Sequence, residues 1–316
     1  MITSQDVRDA AEALRGVAVR TPLVYSEPLG AYLKLEQLQP IGAFKLRGAY
    51  NAIRRLPDPA RARGVITFSS GNHGQAVAFA AQRFGVRAVI VMPETAPPVK
   101  VAGVKKWGGE VVFAGATSED RQVKAEAIAA REGLAIVPPF DHPDIVAGQA
   151  TVGLEIAEQL PEVGTVVVPV GGGGLISGVV LGLEAAESAA GVWGVEPAGA
   201  PKLTRSLELG KPVRLDRTAS IADGLITLTV GAVPLMVLQA HGHRLRGVAL
   251  VEDDSIRDAM HLLHTRCRLT VEPSGAATAA ALRAGVLRPP PTAPVVLVVS
   301  GGNVDPALLE GLTTHA

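Results

Sequence analysis

Between Val163 and Leu183 the chain carries no charged residue, a run long enough to cross a bilayer. Pro169 and four consecutive glycines, Gly171, Gly172, Gly173 and Gly174, divide it. The β-branched stretch Val166 to Val170 stands ahead of them, and a second apolar stretch opens at Leu175. The flanks are acidic, without the basic bias that orients a membrane helix. A buried strand, a tight turn and a buried helix account for the run better than a membrane span. Such a unit belongs to a parallel sheet with helices on both faces.

The rest of the chain repeats the pattern. Val65 to Phe68, Ala88 to Met92, Glu110 to Phe113, Ala135 to Val137, Val192 to Glu196, Val248 to Val251 and Val295 to Val299 read as strands. Thr21 to Tyr25 and Tyr32 to Glu36 read as short strands around a turn. Helical spacing falls between them: Val7 to Leu14 with Ser4 as its cap, Gln75 to Phe84, Val99 to Trp107, Glu119 to Glu132 and Val146 to Gln159. Leu175 to Ala190, Ser255 to Arg266 and Gly275 to Ala284 complete the set. The fold class is α/β, doubly wound around parallel sheets.

Composition narrows the function. Hydrophobic residues make up 47% of the 316 but aromatics only 3%, so Val, Leu, Ile and Ala must build the core. Thirty Lys and Arg balance thirty Asp and Glu. No basic block is present to grip a nucleic-acid backbone, which points to a small-molecule partner. The single cysteine, Cys267, excludes an internal disulfide and a Cys-based zinc site. With an N-terminus that has neither a basic start nor an apolar signal core, this fits a cytoplasmic protein.

In doubly wound sheets, ligands bind where strands end. The glycine run after Val170 lets main-chain N–H groups approach an anion, and the following helix adds its dipole, so a phosphate is its natural guest. Gly172, Gly174 and Ser177 also imitate a dinucleotide fingerprint, with Glu196 placed to reach a ribose, so an NAD-binding oxidoreductase is the competing class. Ser69-Ser70-Gly71-Asn72-His73-Gly74 puts polar groups at a second helix start, which suits a carboxylate. Ser300-Gly301-Gly302-Asn303 follows the last strand. Of only three asparagines, Asn51, Asn72 and Asn303, two lie in these turns.

Lys45 gives the turns a purpose. It follows Gly42-Ala43-Phe44 and opens a helix whose apolar face is Leu46, Ala49, Ile53 and Leu56. Partial burial and the positive end of a helix dipole both favour its neutral, nucleophilic amine. A reactive lysine, a phosphate cradle and a carboxylate turn are what pyridoxal phosphate needs to act on an amino acid.

The sequence resembles the fold-type II pyridoxal-phosphate enzymes of the serine/threonine dehydratase and serine racemase family. The resemblance runs in order through Arg20-Thr21-Pro22-Leu23, Lys34-Leu35-Glu36, Phe44 to Ala49, Ser69 to Ala76, Ala147-Gly148-Gln149 and Gly171 to Gly174. It continues through Ala222-Asp223-Gly224, Val271-Glu272-Pro273 and Ser300 to Asn303. It implies two doubly wound domains of the tryptophan synthase β type. The large one comprises residues 1–57 and 144–316, and the smaller, substrate-closing one residues 58–143. A homodimer is implied as well. Little chain follows Ser300, so the C-terminal regulatory domain of biosynthetic threonine deaminases is not expected.

By this resemblance Lys45 bonds the cofactor aldehyde and moves the proton at Cα, and Phe44 packs beside the ring. Asn72 reaches the phenolic oxygen, Gly171 to Leu175 hold the phosphate, and Ser300 faces the pyridine nitrogen. Gly224 and Glu272 complete the cofactor site. Ser69, Ser70, Asn72, His73 and Arg121 surround the substrate, Ser70 being the acid/base on the opposite cofactor face in racemase-like members. The implied reaction is loss of the β-hydroxyl from L-threonine or L-serine, giving a 2-oxo acid and ammonia. Serine racemisation and 3-hydroxyaspartate dehydration are the alternatives. Two departures stand out. Ile41-Gly42-Ala43 replaces the usual Thr-Gly-Ser ahead of Phe44-Lys45. The divalent-cation site of racemase-like members keeps Glu196 and the Ala200 carbonyl, but Lys202 stands where an acid belongs, so a bound metal is not expected.

Overall fold

The computed structural model describes residues 1–69, 71–96, 98–115, 118–290 and 293–313. The chain begins with α1 (Ser4–Ala13), the hairpin β1 (Leu23–Ser26) and β2 (Ala31–Leu35), α2 (Lys45–Arg55) and α3 (Asp58–Arg63). Next come β3 (Val65–Phe68), α4 (Asn72–Phe84), β4 (Ala88–Met92), α5 (Pro98–Lys106), β5 (Glu110–Phe113), α6 (Ser118–Glu132) and β6 (Ala135–Ile136). Then follow α7 (Pro143–Gln159), β7 (Thr165–Pro169), α8 (Gly174–Ala185), β8 (Gly191–Pro197), α9 (Lys202–Leu209) and α10 (Ala232–Ala240). The last elements are β9 (Leu245–Val251), α11 (Asp253–Thr265), α12 (Pro273–Arg283), β10 (Val295–Val299) and α13 (Pro306–Thr313).

Two sheets form. The larger has the order β1-β2-β10-β7-β8-β9 and the smaller β5-β4-β3-β6. All pairings are parallel except that of β1, which runs antiparallel along β2 at the sheet edge. Every residue of β7 is buried, because helices cover both faces of the sheet. Each fully buried valine there contributes about 1.5–3 kcal/mol. Among the described residues no helix is long and apolar enough to cross a membrane.

Register places the functional turns. Leu297 of β10 pairs with Val167 of β7, and Val299 pairs with Leu35 of β2. Three adjacent parallel strands therefore end together, releasing the Lys45 loop, the Ser300 turn and the glycine run at one edge. In the smaller sheet β3 lies between β4 and β6, so the Ser69 turn leaves beside the segment after β6.

Some local expectations change. Thr3, not Ser4, caps α1: its hydroxyl accepts the Asp6 N–H at 3.2 Å while Asp6 accepts the Thr3 N–H at 2.9 Å. α8 ends at Ala185 rather than Ala190, because Glu187 turns left-handed at φ 54°. α9 and α10 arise where the sequence analysis predicts no helix. α10 is apolar around much of its circumference, which hides its period.

Candidate active site

The Lys45 loop is stitched to the end of β10. The Phe44 N–H donates to the Ser300 carbonyl at 3.1 Å and the Gly302 N–H to the Gly42 carbonyl at 2.9 Å, around a bridge between Ala43 and Gly301. Gly42 has φ +72°, and a Cβ there would lie 2.5 Å from Asn303 Oδ1, so only glycine fits. Ile41 and Ala43 are buried among Leu46, Ala49 and Ile53 and make an apolar wall.

Lys45 is half-buried as the first residue of α2. Its Nζ donates to the Pro139 carbonyl at 2.6 Å and lies 5.3 Å from the centre of the Phe44 ring. Burial pulls its pKa down to about 8. At neutral pH the uncharged fraction rises from about one in three thousand to about one in ten.

The next residue after Pro139 leads to the glycine run. A Cβ on Gly172 would stand 2.2 Å from the Phe140 ring, and one on Gly174 3.2 Å from Phe140 Cβ. Gly173 adopts φ +90° as N-cap of α8 and no side chain caps that helix, so its first-turn N–H groups remain open to an anion. Leu175 is buried in this turn. Gly171 packs on the Gly224 carbonyl, and the Gly224 N–H donates to Ser274 Oγ at 3.0 Å. Ser300 Oγ, also buried, donates to the Ser274 carbonyl at 3.4 Å. An uncapped helix start in a glycine cradle, beside a desolvated lysine, fits pyridoxal phosphate.

The start of α4 lies on the other side. Asn72 begins α4; its Nδ2 donates to Glu272 Oε1 at 2.7 Å, and its Oδ1 accepts Asn303 Nδ2 at 2.8 Å. One Nδ2 hydrogen is left for a ligand oxygen. Ser69 Oγ accepts the Gly71 N–H at 3.2 Å. Ser70 lies outside the described residues. His73 is buried with Nε2 3.0 Å from the Val137 carbonyl, which fixes the proton on Nε2. Burial, reinforced by the Lys45 charge, pushes its pKa down to about 3, so it stays neutral. Its Nδ1 is buried with no hydrogen-bond partner among the described residues. Arg121 occupies the first turn of α6, half-buried, and desolvation lowers its pKa.

Glu272 is the unusual acid. Burial, helped by the nearby Asp223 carboxylate, raises its pKa to about 8 despite Lys100 and the Asn72 bond. Lys100 of α5 and Asp223 form an ion pair that joins the two sheets' structures at this point. A raised folded-state pKa stabilises fully below the ordinary carboxylate range, and that contribution is lost as pH rises towards 8. Glu272→Gln keeps the acceptor for Asn72 but has no proton to lose. Its melting temperature is therefore expected to fall much less than the wild type's between pH 5 and 8.5, as thermal melts across pH would read.

Several shared motifs turn out to hold the scaffold instead. Arg47 donates twice to Glu36, at 2.8 Å each, and to Glu155 at 2.7 and 2.9 Å. Lys34 joins through Glu155, Gln159 and the Thr21 carbonyl. A Cβ on Gly148 would come within 2.6 Å of the Arg47 carbonyl, so α2 and α7 cross at bare backbone. The dinucleotide alternative loses its ribose ligand here. Glu196 is fully buried and its carboxylate accepts from Lys202 Nζ at 3.1 Å, Leu203 N at 2.7 Å, and Thr204 N and Oγ1 at 3.0 and 2.9 Å. The Ala200 carbonyl lies 3.0 Å from the same Nζ.

Sequence reading missed Pro139, Phe140 and Ser274. The signal for Phe140 was scarcity: the chain has six phenylalanines, and two of them, Phe44 and Phe140, border this site.

Residues 14–301 match the model of the family described as pyridoxal-phosphate dependent enzymes, and this chain belongs to that family. It is 37% identical to the L-threonine ammonia-lyase of Thermotoga maritima, covering 98% of this chain and 78% of that protein. It is also 37% identical to the L-threo-3-hydroxyaspartate ammonia-lyase of Saccharomyces cerevisiae, covering 96% of this chain and 94% of that one. The solved structure of maize serine racemase superposes with a TM-score of 0.92 at 35% identity, covering 99% and 97% of the two chains. The fold is thus that of the fold-type II enzymes, and the chain is a pyridoxal-phosphate-dependent lyase.

Proposed function

We propose that the chain removes the β-hydroxyl and amino groups of L-threonine, L-serine or both, releasing a 2-oxo acid and ammonia. The observation that carries this reading is Ser300. Its hydroxyl is buried at the end of β10 and bonded to a main-chain carbonyl. A hydroxyl facing the cofactor's ring nitrogen does not enforce a positive charge there, as a carboxylate would. Charge developing at the substrate Cα is then poorly retained, and departure of a β-hydroxyl is its natural outlet.

When bound, pyridoxal phosphate supplies the electron sink that acidifies the Cα–H. The chain's own groups do the rest. Gly171 to Leu175 and the start of α8 would hold the phosphate, and Phe44, Asn72 and Gly224 would hold the rest of the cofactor. Lys45 Nζ takes the proton from Cα; an amine with pKa about 8 is matched to that task near neutrality. Ser69, Ser70 and the main-chain N–H groups of Asn72 and His73 at the start of α4 would receive the substrate carboxylate, the His73 ring having spent its one N–H on Val137. Residues 58–143 close over it as the smaller domain. The water lost with the β-hydroxyl is regained on hydrolysis, so threonine yields 2-oxobutanoate and ammonia in balance.

The test is release of 2-oxo acid from L-serine, D-serine, L-threonine and both 3-hydroxyaspartates, with chiral analysis of the remaining substrate. Pyruvate from L-serine or 2-oxobutanoate from L-threonine is expected. No oxo acid from any of them would sink the reading. Rapid build-up of D-serine would assign racemisation instead, and turnover confined to a hydroxyaspartate would move the substrate to that acid, with Arg121 as the residue to test next.

A further inference from the structure

Three oxygens converge on one point beside the glycine run. The Val170 carbonyl, the Ala200 carbonyl and Glu196 Oε1 lie 2.9, 3.0 and 3.1 Å from Lys202 Nζ. Lys202 and Glu196 are both fully buried. Two carbonyls and a carboxylate form the kind of hard oxygen set that holds a small hard cation. An ammonium has three N–H donors, and each finds one of these acceptors; a neutral amine would turn its lone pair against one of them.

The place of this cluster gives it a consequence. Val170 is the last residue before Gly171, and its N–H already donates to the Val195 carbonyl of β8 at 2.8 Å. Lys202 ties the carbonyl of the same residue, in the peptide that joins it to Gly171, to the turn between β8 and α9. Glu196 in turn receives the first N–H groups of α9, so one carboxylate joins the strand, the helix start and the cation. We propose that Lys202 is a tethered cation: its ammonium occupies a latent divalent-ion site, sets the entry to the glycine run, and makes the chain independent of added Mg²⁺ or Ca²⁺. A divalent ion does not fit while this side chain is present, because Nζ already occupies the point of convergence.

The test uses the full chain loaded with pyridoxal phosphate. Lys202→Asp removes the ammonium and adds an oxygen ligand; Lys202→Met fills the space without charge. Wild type should melt within about 1 °C of the same temperature in EDTA and in about 10 mM Mg²⁺ or Ca²⁺. Lys202→Asp should melt at least about 5 °C lower in EDTA and regain half or more of that loss with either ion. Lys202→Met should melt low and ignore both ions. Cofactor Kd, followed by absorbance, should weaken about tenfold in Lys202→Asp and recover with the ion. Stabilisation of wild type by either ion, a Lys202→Met variant as stable as wild type, or a Lys202→Asp variant that ignores both ions or does not fold with them would each overturn the proposal. The cofactor measurement rests on the phosphate role of the glycine run, whereas melting does not. Ion-restored melting without any change in Kd would therefore uphold the tethered cation and count against that role.

Discussion

Replacing Lys45 by alanine is expected to lower 2-oxo acid release by at least about a thousandfold, since in the proposed reaction the same amine serves as nucleophile and base. The fold should survive. Among the described residues Nζ makes one hydrogen bond, to the Pro139 carbonyl, and its removal leaves the stitching of Phe44 and Gly42 to the Ser300 turn in place. Cofactor should still enter the glycine run but wash out on dialysis, and borohydride should no longer fix it to the protein. Lys45→Arg should be equally inactive, because a guanidinium never loses its proton at working pH. A Lys45→Ala variant that keeps more than about one hundredth of wild-type turnover would remove this lysine from the chemistry.

Arg47→Ala is expected to cost stability rather than chemistry, and to cost more than any surface change. Arg47 is fully buried against Glu36, which is also fully buried, and against Glu155. Burial alone pushes the Glu36 carboxyl up, but the Arg47 guanidinium, together with Lys34 and the Thr21 hydroxyl, more than offsets this and holds it below the usual carboxylate range. Truncation leaves that carboxylate without its bidentate partner, at a cost of about 3–5 kcal/mol. That is a large share of a typical stability of about 5–15 kcal/mol, and corresponds to about 5–8 °C in melting temperature for a chain of 316 residues. The sign of the pH effect follows from the lowered pKa. The contribution is present at neutral pH and lost on acidification through the folded-state value, so the gap between wild type and variant should narrow below about pH 4. Melts at pH 7 and about pH 3 check both points. Arg47→Lys should not restore the loss, since one ammonium cannot span Glu36 and Glu155 as the planar fork does.

The two variants concern residues two positions apart in one motif, Lys45-Leu46-Arg47. Their different fates show what kind of information a motif carries. The helical spacing after Lys45 made α2 legible, and β-branched runs made β3, β4 and β10 legible, because each pattern is a local property of consecutive residues. The glycine run announced its turn for the same reason. α9 and α10 were not legible, as one is short and the other apolar around much of its surface.

By itself, the sequence determined the alternation of strands and helices, the turns at which ligands could be held, and a lysine at a helix start. Only the tertiary structure decided which turns meet. Phe140 reached the glycine run, Asn72 joined Glu272 and Asn303, and Lys202 entered the space between Val170, Glu196 and Ala200. Asn72 and Glu272 are 200 residues apart. Periodicity fixes which face of an element turns inward, but carries no record of the partner that face will find. That partner is chosen by strand order and register, which place the ends of β2, β10 and β7 side by side.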